Sequence, residues 1–160
     1  MQFHDAKVLI VVTYAASRDI VKVTLHNMGF RKIRVCEDLA EARLILDIEF
    51  YDLLFVDCDF ETGQPSDLVF DLRQNREGDI SFIPVVVLTW QPVVETVKKM
   101  VDAGADLVLT LPMASQKMLD AIRTIVEKRK PFVVTSAYVG PDRRKAVRED
   151  DSSGVMIVKV

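Results

Sequence analysis

A chain of 160 residues with 49% hydrophobic and 28% charged side chains has the composition of a single water-soluble globular domain with some length to spare. Its formal charge of −3 argues against a surface that binds nucleic acid by general electrostatics. No apolar run approaches the roughly 20 residues that span a bilayer, and MQFHDAK at the start has no apolar leader, so a cytoplasmic protein with no membrane partner is expected.

The first apolar run, KVLIVV (7–12), is continuous in Val, Leu and Ile, the pattern of a strand covered on both faces. After TYAAS, Ser17 is the expected cap of a helix that runs to Met28 and stops at Gly29, with Ile20, Val21, Thr24, Leu25 and Met28 inward. KIRVC (32–36) reads as a second strand. Asp38 with Glu41 three residues later starts a second helix, whose inner face is Leu39, Ala42, Ile45, Leu46 and Glu49. DLLFV (52–56) is the third strand and a helix from about 66 to 76 follows, ending near Gly78.

PVVVLT (84–89) is the fourth strand. Pro92 opens a helix that ends at Gly104 and carries Val93, Val94, Val97, Met100 and Val101. These are more apolar residues than one buried stripe needs, so part of this helix is expected to be a contact surface. DLVLTL (106–111) is the fifth strand, and Ser115 caps a fifth helix that ends before Pro131.

Five β-α units predict an α/β fold, a doubly wound five-stranded parallel sheet of order 2-1-3-4-5. Chemistry in such a sheet belongs at the carboxyl ends of the strands, here Val12-Thr13, Asp57, Thr89 and Leu111-Pro112. Residues 1–130 form the predicted domain. Residues 131–160 are a C-terminal extension, β-prone or disordered, with two strand pieces flanking a Gly140-Pro141 turn. Within it Arg143, Arg144 and Lys145 form a solvated turn or a docking contact for an acidic partner, and VMIVKV (155–160) is suited to pair with a sheet edge. Cys36 and Cys58 read as reduced core thiols, and His4 and His26 as surface or structural residues.

YDLLFVDCDF, IPVVVLTW and AGADLVLTLP, in this order, make the span from about Lys7 to Arg129 resemble the receiver domain of bacterial two-component response regulators. The resemblance implies a flavodoxin-like fold in which Asp57 takes a phosphoryl group from a histidine kinase. It also implies an acidic pair after strand 1 that holds Mg²⁺ with the phosphoacceptor, a hydroxyl after strand 4 and a lysine after strand 5. Thr89 matches the hydroxyl. Val12 and Thr13 stand at the acidic pair, Leu111 at the lysine, and Val108 at the strand-5 aromatic. Trp90 follows Thr89 where the family has a small residue, placed to cover the pocket mouth or to pack, and Pro112 matches a cis proline.

Phosphoryl transfer depends on positioning and charge neutralisation, so this chain is expected to be a degenerate pseudo-receiver. That expectation comprises no enzymatic activity, no cofactor, and action by protein–protein contact with a histidine kinase or an output protein. The surface implied by the family is the fourth helix, fifth strand and fifth helix, also suited to a homodimer, with Val94, Val97, Val101 and Val108 as candidates. The alternative is a phosphorelay receiver phosphorylated on Asp57, with Mg²⁺ held by Asp57 and Asp59. Structurally, Asp57 has a bland reading as a cap for a nearby amide. A remote alternative is a flavodoxin-like flavin protein using the Thr13 and Ser17 hydroxyls, in a loop that lacks the glycine a phosphate site needs.

Overall fold

The computed structural model describes residues 3–75, 78–143 and 156–158. The elements are β1 (Lys7–Val11), α1 (Ala15–Asn27), β2 (Lys32–Cys36), α2 (Leu39–Ile48), β3 (Leu53–Asp57) and α3 (Pro65–Gln74). A 3-10 turn at Asp79–Phe82 leads to β4 (Val85–Thr89), α4 (Val94–Ala103), β5 (Leu107–Thr110) and α5 (Ser115–Glu127). The five strands form a parallel sheet of order β2-β1-β3-β4-β5, as the β-α periodicity predicts.

Alternation along the strands explains their unbroken apolar runs. Leu9, Val11, Leu54, Val56, Val85 and Val87 face one core with residues of α2, α3 and α4. Val8, Ile10, Leu53, Phe55, Val86 and Leu88 face the other, with residues of α1 and α5. A strand with helices on both sides has no wet face, so neither parity of position carries a polar side chain.

Several predicted helix starts differ from the structure. Asp38 caps α2 as expected, accepting from the Glu41 amide at 2.9 Å, but Glu49 lies beyond that helix in extended conformation. Ser17 is not a cap. The N-cap of α1 is Tyr14, and Ser17 sits fully buried in the first turn, where its hydroxyl serves a tertiary partner. Ser115 likewise begins α5 without capping it, since Ala114 holds the N-cap position. Gly104 ends α4 at φ 111°, a left-handed conformation that suits glycine.

The extension is ordered where it is described. β6 (Phe132–Val134), β7 (Val139–Pro141) and β8 (Met156–Val158) form an antiparallel sheet of order β7-β6-β8. The Gly140-Pro141 pair lies inside β7 and makes no turn; residues 135–138 turn instead, with the Thr135 hydroxyl accepting from the Ala137 and Tyr138 amides. The backbone of 156–158 pairs with β6, so the C-terminal segment finds a sheet edge in its own chain.

Packing holds this small sheet on the amino ends of β4 and β5. Phe132 is fully buried, with the Arg73 and Arg129 guanidinium carbons 4.8 and 4.5 Å from its ring centre. Arg73 donates to the carbonyls of Gly104, Ser81 and Ile83 and to Asp106, and Asp106 also pairs with Arg129. Arg143 closes the contact by donating to the Val101 and Ala105 carbonyls. Arg144 and Lys145, the rest of the basic cluster, lie outside the described residues.

Candidate functional site

The opposite end of the sheet carries the candidate site. Asp57 closes β3 beside Leu88 of β4, and Thr89 and Thr110 close β4 and β5 together. Val12 follows β1, with its amide bonded to the Cys36 carbonyl at 3.0 Å. The topology therefore brings Val12, Asp57, Thr89 and Leu111 to one crevice, as the sequence predicts.

Their chemistry is mostly apolar or already satisfied. Val12 and Leu111 are buried in the core shared with α1 and α5, so the two positions contribute packing and no charge. Thr13 is exposed. The Thr89 hydroxyl donates to the Gln91 carbonyl at 2.9 Å, which commits its proton to the loop before α4. The Leu111-Pro112 bond is cis, as the resemblance implies.

Asp57 is the exception. It is only 2% exposed, and neither carboxylate oxygen has a hydrogen-bond partner. Burial raises its pKa to about 6. Ser17 and the amides of Tyr14 and Thr13 lie close enough to pull the value down without reaching hydrogen-bonding geometry, and the charge of Asp59 pushes it up. Burial also lifts the adjacent Cys58 thiol to about 12, so Cys58 is no nucleophile; Cys36 is likewise a buried free thiol.

Trp90 is tied to Ser17, a neighbour of this carboxylate. Its indole Nε1 donates to the Ser17 hydroxyl at 2.8 Å, joining the end of β4 to the first turn of α1. Beside that contact an open cavity of about 540 Å³ is lined by Tyr14, Ala16, Asp59, Trp90 and Gln91. Sequence reasoning missed Tyr14 and Gln91 and misassigned Ser17. The only local signal was the hydroxyl-rich TYAAS itself, because its partner lies 73 residues away.

Magnesium prefers several oxygens, carboxylate and water, at near-octahedral geometry. Here one carboxylate, Asp57, is sealed from solvent, and Val12 and Thr13 supply none. Asp59 is exposed, and among the described residues no three His, Cys, Asp or Glu side chains gather at one point. The residues at this crevice do not fit the ion.

The contact candidates of α4 and β5 separate in the structure. Val94 is 79% exposed and Val93 beside it is half-exposed, whereas Val97 and Val101 are partly buried. Val108 packs against the core on the α2–α4 side. Among the described residues no helix is long and apolar enough to cross a membrane.

A family model for the response regulator receiver domain matches residues 8–123. Chemotaxis protein CheY-3 of Vibrio cholerae is 25% identical over 124 residues, 78% of this chain and 94% of that protein. The phosphate regulon transcriptional regulatory protein PhoB of Escherichia coli is 27% identical over 128 residues, covering 80% of this chain but 55% of PhoB. Among solved structures, the chemotaxis response regulator CheY4 of Vibrio cholerae superposes with a TM-score of 0.66 at 22% identity, covering 75% of this chain and 98% of that one. A receiver domain from a Clostridium thermocellum histidine kinase gives 0.68 at 16% identity, covering 77% and 98%.

Proposed function

Because this chain belongs to the response regulator receiver domain family of two-component signalling, we propose that it acts there as a pseudo-receiver, a docking module that works without Mg²⁺-dependent phosphorylation of Asp57. One observation carries this reading: the phosphoacceptor position is a sealed, unpaired carboxylate with apolar or uncharged residues where compensating groups would stand. A phosphoryl group on Asp57 would place further negative charge in a pocket that offers no cation, since Leu111 holds the position of the lysine. The Thr89 hydroxyl is already committed to Gln91.

In this reading the protein is not an enzyme, needs no cofactor, and acts in the cytoplasm on a histidine kinase or an output protein. The partner or homodimer surface is the face of α4, β5 and α5, where Val93 and Val94 stay exposed. Incubation of the full chain with Mg²⁺ and acetyl phosphate, followed by intact mass measurement, tests it. No phosphoryl adduct is expected. A stoichiometric adduct that disappears in Asp57→Asn would establish the phosphorylatable alternative.

A further inference from the structure

We propose that the cavity at the carboxyl ends of β3 and β4 binds an alkylguanidinium group, held between Tyr14 and Trp90 by the carboxylate of Asp59, with the charge of the buried Asp57 nearby. This inference rests on the docking-module reading and assigns the chemistry of the group that docks.

Four observations converge on a planar organic cation. The cavity, about 540 Å³, is of the size that takes a small ligand or a long side chain. Two aromatic residues line it. Tyr14 is half-exposed, and Trp90, anchored at its Nε1 edge by Ser17 and packed in part against the core, turns part of its surface to the cavity. Asp59 lines the same cavity, is exposed, and forms no salt bridge among the described residues. Asp57 is buried close by, with the Ser17 side chain, the Tyr14 and Thr13 amides and the Asp59 charge as its electrostatic neighbours.

One lining carboxylate, Asp59, and no lining cation create a site that is negative and aromatic together. That combination selects among cations. Mg²⁺ finds too few accessible oxygens. An ammonium is compact, strongly hydrated and does not stack. A guanidinium is planar and weakly hydrated, stacks on aromatic rings, and carries five donors that can serve a carboxylate while stacked. Asp59 is the direct partner, and the neighbouring Asp57 adds to the negative potential.

The group can come from an arginine side chain on a partner protein or from a free guanidino compound, and one experiment separates them. Trp90 is the only tryptophan, so intrinsic emission of the full chain reports on the cavity directly. The chain is titrated at constant ionic strength with N-acetyl-arginine methylamide, and with the same residue inside a short, otherwise neutral, blocked peptide. N-acetyl-lysine methylamide and sodium chloride are the controls.

A saturable change with both arginine probes is expected, about tenfold weaker with the lysine probe and in Asp59→Asn, the loss of one charge-assisted hydrogen bond. Asp57→Asn is also expected to weaken it. Tighter binding of the peptide marks a protein arginine as the occupant, and equal binding marks a free guanidino compound. No saturable response beyond the salt control, or equal responses in wild type and both Asp variants with native melting curves, overturns the proposal. The magnesium and acetyl phosphate incubation is read independently: an Asp57 adduct sinks the pseudo-receiver reading, whereas no adduct together with no arginine response sinks only this site.

Discussion

Arg73 and Asp106 meet at 2.8 Å with 0% and 5% of their side chains exposed, making a buried ion pair between the end of α3 and the start of β5. The guanidinium stays charged because burial, which lowers its pKa to about 10, is opposed by Asp106. Asp106 also accepts from the Val85 amide, so one carboxylate ties α3, β4 and, through Arg129, the end of α5. Asp106→Ala leaves Arg73 as an uncompensated buried charge. It is expected to cost about 3–5 kcal/mol in urea unfolding, far more than the usual surface pair.

Phe132 extends that network into the C-terminal strands. Its ring lies against both guanidinium groups and edge-on to Phe82 at 5.4 Å. Phe132→Ala should therefore destabilise the whole fold by about 3–5 kcal/mol, with an additional loss from the cation–π contacts. Differential scanning calorimetry checks this. A change confined to the extension, with the main transition unmoved, would show that β6 contributes nothing to the receiver body.

Gly104 and Gly140 permit the close approach of that sheet. A Cβ at Gly140 would stand 2.9 Å from the Gly104 Cα and 2.5 Å from the Tyr138 hydroxyl. Gly140→Ala has no bad φ to answer for, so its effect isolates the collision. A loss of about 1–3 kcal/mol is expected, as for overpacked cores, and faster proteolysis between 131 and 143 should accompany it.

Asp57 makes stability depend on pH with a definite sign. Below its ordinary pKa of 3.8 both folded and unfolded chains hold the proton, and Asp57 contributes nothing. Between 3.8 and about 6 only the folded chain keeps it, so stability falls as pH rises. Above about 6 the cost is complete, on the order of 3 kcal/mol. Asp57→Asn should remove this slope and be more stable than wild type at pH 7.5; unfolding curves at several pH values test it. An unchanged slope in the variant would show that other groups carry the dependence.

Ser17→Ala should release the Trp90 indole from its acceptor. A cost of about 1 kcal/mol and an altered Trp90 emission are expected. The same substitution at a mere helix cap would leave the emission unmoved, so fluorescence separates the tertiary role from the local one.

What the sequence determined by itself is whatever local pattern carries: five apolar runs, the first, third and fourth without alternation, the helices between them, and so the β2-β1-β3-β4-β5 sheet and its crevice. It also determined the absence of acids at Val12 and Thr13 and of a lysine at Leu111, because strand ends can be read by position. The tertiary structure decided how the remaining groups are used. Ser17 looked like a cap because its neighbours are small and polar, yet its hydroxyl is claimed by an indole 73 residues away. Arg73 lies on α3 with no sequence signal for burial, and Asp106 and Phe132 enclose it. Gly140 and Pro141 form a turn by propensity and a strand by pairing. For Ser17 a contact distant in sequence, and for Gly140 and Pro141 strand pairing with β6, outweighed a local preference of about 1 kcal/mol. Asp57 follows the same physics: sequence places it at the crevice, and only packing leaves it sealed and without a partner.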